Sequence, residues 1–228
     1  MRRRWILGGG AHGPRSTAER THAEGDDVYY SMGFYPGLSA ELAEAIGTIR
    51  EKYDPTSGFI KPHVTVLFPV PGSVGEEPLV GQIGDVLSEW RPFKMRLGGF
   101  HKSRDHWLFL TLKEGEAEVR RLHGALYTGI LAEYRRDDIE FVPHMGLGLF
   151  VKQGSIYKWD TPRESDLDRV GYGEALREAE ALPLGSTSVI ETFHLVKIPD
   201  GLIEWTTGKR AAIPGDIRIT EVREFRLR

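Results

Sequence analysis

The chain contains no cysteine among its 228 residues, which removes disulfides, thiolate nucleophiles and sulfur-ligated zinc from consideration. Chemistry in this protein falls to histidine, hydroxyl, carboxylate and basic side chains. An excess of either charge is lacking as well: 30 lysines and arginines stand against 33 acidic residues, for a formal net charge of −3. That balance gives no global attraction for duplex DNA, whereas a small local cluster of positive charge still suits a phosphate ligand or the end of an RNA. Long apolar runs are missing. After Arg2, Arg3 and Arg4 the apolar stretch is only Trp5-Ile6-Leu7, too short for the core of an export signal, and nothing elsewhere approaches a membrane span. The expectation is a cytoplasmic protein with no membrane partner.

Metal and nucleotide-loop signatures are also lacking. No helix carries two histidines at metal-binding spacing, and Gly8-Gly9-Gly10 is not followed by the Lys-Ser/Thr that a phosphate loop needs. No metal and no cofactor are expected.

What the chain has in quantity is glycine and proline, 27 and 13 residues, which predicts many turns and short elements. Residues 1–26 show no hydrophobic period and read as a disordered arm. Residues 27–228 read as one bilobal domain. Within it Val28 to Tyr35 has strand-forming residues closed by Pro36-Gly37, and Ser39 is placed to cap a helix over 39–52, with Leu42, Ile46 and Ile49 on one side. A strand over Ile60 to Pro69, a helix over 76–89, strands over Phe93 to Phe100 and Trp107 to Leu112, a helix over 117–133 and a strand over Phe141 to Val151 follow. Tyr172 to Leu182 reads as a short helix. Ser188 to Ile198 and Ile217 to Leu227 read as strands that close the fold as an antiparallel pair.

One comparison organises these elements. Strand, helix and strand over 28–69 recur in the same order over 107–151, and the closing strands align as Ile60-Lys61-Pro62-His63-Val64-Thr65-Val66 beside Phe141-Val142-Pro143-His144-Met145-Gly146-Leu147. Strand periodicity puts His63, Thr65 and Leu67 on one face and Val64, Val66 and Phe68 on the other. In the second copy His144, Gly146 and Gly148 share a face opposite Met145, Leu147 and Leu149. The apolar sets are expected under helices, so each histidine falls on the face left for the other lobe or a ligand. Both follow a proline, which suits the start of a strand and a rigid mounting.

The paired motifs resemble those of the 2H phosphoesterase superfamily, which includes 2′-5′ RNA ligase-like proteins and cyclic nucleotide phosphodiesterases and whose hallmark is a His-x-Thr/Ser-x motif in each of two pseudo-symmetric lobes. The resemblance covers roughly residues 28–198. It implies an α+β fold of duplicated antiparallel sheets with helices on the outer faces. It also implies a metal-independent reaction on 2′,3′-cyclic phosphates or 2′-5′-linked nucleotides or RNA ends, with His63 and His144 as the catalytic pair. Residue chemistry agrees: imidazole gives or takes a proton near neutrality, so two rings can divide an in-line displacement, and Thr65 can donate to a phosphate oxygen. The residues leave open which ring is acid and which is base; the usual family scheme implies His144 as base and His63 as acid.

The second motif departs from that pattern, because Gly146 stands where a hydroxyl belongs. A backbone N–H or basic residue in its place, a cleft widened for a bulkier ligand, and a decayed site are all consistent with glycine there. The last of these motivates an alternative, a noncatalytic nucleotide or RNA-end binding module. Lys61 shares the His63 face and is a candidate phosphate contact, as is Lys152 after the second motif strand. Tyr157 is a candidate platform for base stacking. His101, Lys102, Arg104 and His106 form a basic turn that either borders the nucleotide site or is a solvated hairpin turn; His123 reads as structural, and His194 as packing or surface display. A monomer is expected.

Overall fold

Leu108, Leu110 and Leu112 are buried while their neighbours Trp107, Phe109 and Thr111 are only half covered, the alternation of a strand with one face on a core. That strand lies at the centre of one of two sheets. The structure, a computed structural model, describes residues 28–228; the expected arm lies outside them. The elements run β1 (Val28–Phe34), α1 (Ala40–Tyr53), β2 (Val64–Pro71), α2 (Glu76–Ser88), β3 (Phe93–Lys102), β4 (Trp107–Glu114), α3 (Glu116–Leu126), β5 (His144–Leu149), α4 (Arg169–Glu180), β6 (Thr187–Ile190), β7 (Thr192–Pro199), α5 (Asp200–Thr206) and β8 (Thr220–Arg226). One antiparallel sheet has the order β2-β1-β7-β8 and the other β5-β4-β3-β6. The expected α+β, bilobal, duplicated architecture is the observed one.

Several expected elements change length for local reasons. Ser39 caps α1 by accepting from the Leu42 N–H. Both motif strands begin later than their apolar runs, at Val64 and His144, because Pro62 and Pro143 have no N–H for a ladder. The helix expected to reach 133 stops at Leu126; Gly129, at φ 49°, leads into a 3-10 turn over Gly129–Tyr134. Ser188 to Ile198 is not one strand. The chain leaves the second sheet after Ile190 and enters the first at Thr192, and helix α5 was not anticipated.

The helices cross over. Helix α1 joins β1 to β2 of the first sheet yet packs on β5 of the second, and α3 joins β4 to β5 of the second yet packs on β2 of the first. The two motif strands, each at a sheet edge, lie next to each other. Both carry a β-bulge at the same place. Met32 stands opposite Leu67 and Gly33 opposite Thr65, while Leu108 stands opposite Gly148 and Phe109 opposite Gly146, so one extra residue, Val66 or Leu147, is inserted each time.

These bulges correct the expected facing. Leu67 is fully buried rather than beside His63, and Gly148 is buried against α1 rather than beside His144. In β2 the backbone groups around the bulge find side chains: the Val66 carbonyl accepts from His123 Nδ1 at 2.9 Å, the Leu67 carbonyl from Ser31 Oγ at 2.8 Å, and Phe68 N–H donates to the Tyr127 hydroxyl at 3.0 Å. His123, stacked on Phe141 at 3.7 Å, is structural as expected. A Cβ on Gly148 would lie 2.6 Å from the Tyr53 Cβ and 2.9 Å from the Phe150 ring. Gly148→Ala is therefore expected to destabilise the fold by about 1–3 kcal/mol. Urea unfolding measures this, and an unshifted midpoint would mean that α1 does not press on β5 there.

A second, smaller core of Ile198, Leu202 and Trp205, with Tyr29, Phe59, Leu149 and Tyr157 packed against it, joins the two sheets beneath α5.

Candidate active site

Each motif histidine is mounted in the same way. His63 Nδ1 lies 2.9 Å from the Lys61 carbonyl and His144 Nδ1 lies 2.5 Å from the Val142 carbonyl, two residues upstream across the proline in both cases. A carbonyl only accepts, so Nδ1 carries the proton and Nε2 of the neutral ring keeps its lone pair. One residue further upstream an arginine holds the chain in each lobe. Arg50 of α1 donates to the Ile60 carbonyl at 2.8 Å, and Arg120 of α3 donates to the Phe141 carbonyl. Arg50 is itself buried and paired with Asp54 at 2.7 Å, whose other oxygen accepts from the backbone and hydroxyl of Thr56. The segments that deliver both rings are thus pinned by matching clamps, which sequence alignment alone did not single out.

The rings influence each other electrostatically. Burial pushes His144 down to about 4, its bond to the Val142 carbonyl opposes this, the neighbouring His63 lowers it further, Asp105 raises it and His101 lowers it. Burial likewise holds His63 below the usual imidazole range, with the Lys61 carbonyl acting in the opposite direction. Both histidines are partly covered, His63 just ahead of β2 and His144 at the start of β5, so the rings lose part of their hydration yet stay reachable from solvent.

The two sides of the site differ in character. On the first, Thr65 is half-buried opposite Gly33. On the second, His144 stacks on Phe109 with ring centroids 3.3 Å apart at 16°, and His101 stacks on Phe109 in turn at 6.3 Å. Phe109, Trp107 and Asp105 were not among the expected site residues. The signal was present in the alternation of β4, whose half-covered positions Trp107, Phe109 and Thr111 share the face of His144.

The remaining candidates are placed as follows. Gly146 lies in the β5 row beside Phe109. The Lys61 side chain is exposed. Lys152 is exposed and its amine donates to the Ser165 carbonyl at 2.7 Å. Tyr157 donates its hydroxyl to Asp105 at 2.6 Å, with its ring 5.1 Å from that of Trp205, and burial and the carboxylate push it far above the usual phenol range. Two cavities flank the 151–166 segment, lined by residues including His106, Tyr157, Arg163 and Lys152 but not by His63 or His144. The basic turn is not simply solvated, since Ser103 and His106 are buried. A metal-like grouping of His194, Glu221 and Glu224 sits on β7 and β8 of the first sheet, where His194 stands opposite Gly33 and so in the same row as Thr65, one strand removed from β2, with His194 Nδ1 committed to Glu221 at 2.8 Å.

Residues 38–160 match the family described as the 2′-5′ RNA ligase superfamily, and the chain belongs to that superfamily, a 2H phosphoesterase group. A Bacillus licheniformis protein named as a putative phosphoesterase is 25% identical over 175 residues, covering 73% of this chain and 98% of the relative. A Bacillus mycoides protein of the same designation is 25% identical over 169 residues, covering 70% and 93%. Among solved structures, LigT of E. coli complexed with 3′-AMP is 16% identical with a TM-score of 0.51, covering 89% of this chain and 98% of LigT. The structural likeness establishes the fold. Among the described residues no helix is long and apolar enough to cross a membrane.

Proposed function

We propose that the protein is a metal-independent phosphodiesterase acting on 2′,3′-cyclic phosphates or 2′-5′-linked nucleotides or RNA ends. The observation that carries this reading is the matched mounting of the two histidines, each fixed at Nδ1 by a carbonyl so that Nε2 is left to exchange protons. In hydrolysis of a 2′,3′-cyclic phosphate, Nε2 of His144 takes a proton from water as its oxygen bonds to phosphorus. The bond from phosphorus to the 3′ oxygen breaks, that oxygen receives the proton from Nε2 of His63, and a 2′-phosphate remains. Thr65 donates to a non-bridging oxygen, and Lys61 and Lys152 are the nearby cations by sequence for a longer ligand. The low value of His144 favours it as base, because a ring near 4 is neutral at pH 7. No carboxylate stands on either motif strand, which is why metal independence is proposed.

The base must be unprotonated and the acid protonated. Activity should therefore rise with pH through about 4 as His144 loses its proton, and fall again below the usual imidazole range as His63 loses its own. An acid-shifted bell in kcat/KM is expected, unchanged by EDTA. An optimum on the alkaline side of neutrality, or loss of activity with chelator, would count against this assignment.

The second reading, a noncatalytic nucleotide or RNA-end binder, is motivated by Gly146. Loss of one charge-assisted hydrogen bond costs about 1.5–3 kcal/mol, or one to two orders of magnitude in rate. That is too little to abolish catalysis. A panel of cyclic phosphates and 2′-5′ linkages decides between the readings: binding without turnover of any of them supports the second.

A further inference from the structure

The two lobes can be compared at the level of the hydroxyl. In the first, Thr65 on the motif strand faces a bare Gly33 on the central strand; in the second, a bare Gly146 faces Phe109. Volume has moved from the motif strand to its neighbour. The space above Gly146 is covered as well: a Cβ there would touch Cε3 and Cζ3 of Trp107, each at 3.4 Å. A methyl group just fits, and the branches of threonine would meet the indole.

That indole is not loosely placed. The backbone N–H of Trp107 donates to Ser103 Oγ at 2.8 Å, and Ser103 Oγ donates to one oxygen of Asp105 at 2.6 Å. The other Asp105 oxygen accepts from the Tyr157 hydroxyl at 2.6 Å, which accepts from Trp107 Nε1 at 3.0 Å. The hydrogen bonds close into a ring that begins and ends on the same residue. Such a satisfied network fixes orientation. The turn that carries Asp105 is strained in its support: His106 is buried with φ 74°, and its Nε2 is tied to the Arg163 carbonyl at 2.9 Å. A half-covered tryptophan on a ligand face, locked by three residues, is arranged for contact and not for filling a core.

We propose that Trp107 stands in the place of the missing second hydroxyl and makes the His144 side of the cleft a seat for the nucleoside of the ligand, leaving the phosphate to the Thr65 side. This rests on the reading that a nucleotide enters the cleft. Gly146 and Trp107 form one unit: the glycine lets the indole approach, and the indole supplies a flat apolar surface for a base or sugar. Tyr157 then acts through Trp107 as a positioning residue.

Calorimetry with adenosine 2′-monophosphate and with inorganic phosphate tests the seat. Trp107→Leu should weaken the nucleotide by about 10-fold and change phosphate by less than about two-fold. Gly146→Thr should give a similar selective loss by displacing the indole, and the double variant should be no worse than the singles, since one contact is lost twice. Should Trp107→Leu fail to fold, Tyr157→Phe, which cuts the ring of hydrogen bonds while keeping the aromatic packing, should show a smaller selective loss of about three-fold. Equal loss for both ligands, or tighter nucleotide binding by Gly146→Thr, overturns the proposal, as does wild-type protein that holds the nucleotide no better than phosphate. Turnover of adenosine 2′,3′-cyclic phosphate is followed separately. Selective binding without turnover refutes the phosphodiesterase reading and keeps the seat; turnover without selectivity does the reverse.

Discussion

Alanine in place of His144 is expected to lower kcat/KM on a cyclic phosphate by about 10²–10⁴, and alanine in place of His63 by a comparable factor. On the proposed mechanism, each change removes one end of a proton exchange that needs both ends. The losses should not multiply: once the base is gone the acid has little to complete, so the double variant should sit near the larger single loss. His63 is mounted on a backbone carbonyl, so its variant should keep its thermal midpoint, whereas His144 also stacks on Phe109 and its variant should lose a little stability with that ring contact. A steady-state assay on purified single and double variants makes the comparison, and a single variant that keeps most of its rate would remove that ring from the chemistry. Glutamine at either position is a useful companion, since it offers hydrogen bonding without transferring a proton.

Asp54→Ala is expected to produce the largest loss of stability. Asp54 and Arg50 are 5% and 4% exposed and 2.7 Å apart. Removing the carboxylate strands a buried guanidinium and deprives the Thr56 N–H of its acceptor. Breaking one side of such a pair costs about 3–5 kcal/mol, which in a domain of this size lowers Tm by roughly 10 °C. The pair joins α1 to the segment that carries His63, through the bond of Arg50 to the Ile60 carbonyl. Activity measured well below the new midpoint should fall as well. Replacing both partners with apolar residues, as in Arg50→Met with Asp54→Leu, should recover much of the stability, because no charge is then left unpaired. A midpoint for Asp54→Ala within a degree or two of wild type would show that water reaches the arginine after all.

The duplicated pattern was legible because it rests on short-range rules. Proline before histidine, alternation after it and a helix between paired strands survive in any tertiary context, and they located both motif strands and the sheet architecture. Register was not legible in the same way. The inserted residues Val66 and Leu147 leave no mark in composition, yet they turn Leu67 and Gly148 onto the buried face. Nor does sequence reveal that Glu191 separates strands of two sheets, because the run from Ser188 to Ile198 holds no glycine or proline to mark a break. The site was half visible. His63, Thr65, His144 and Gly146 came from the motif, whereas Phe109, Trp107 and Asp105 lie on a neighbouring strand and its turn. Their relation to His144 depends on which strands pair.

The exchange of α1 and α3 between the sheets fixes more than topology. With each half of the molecule clasping a helix that belongs by sequence to the other, neither can swing away without tearing that helix from its seat. The gap between the two imidazoles is consequently expected to be a built dimension and not the closed state of a hinge. On the proposed function a substrate must fit a slot of set width, and adjustment on binding should be confined to side chains and to the loops at its rim.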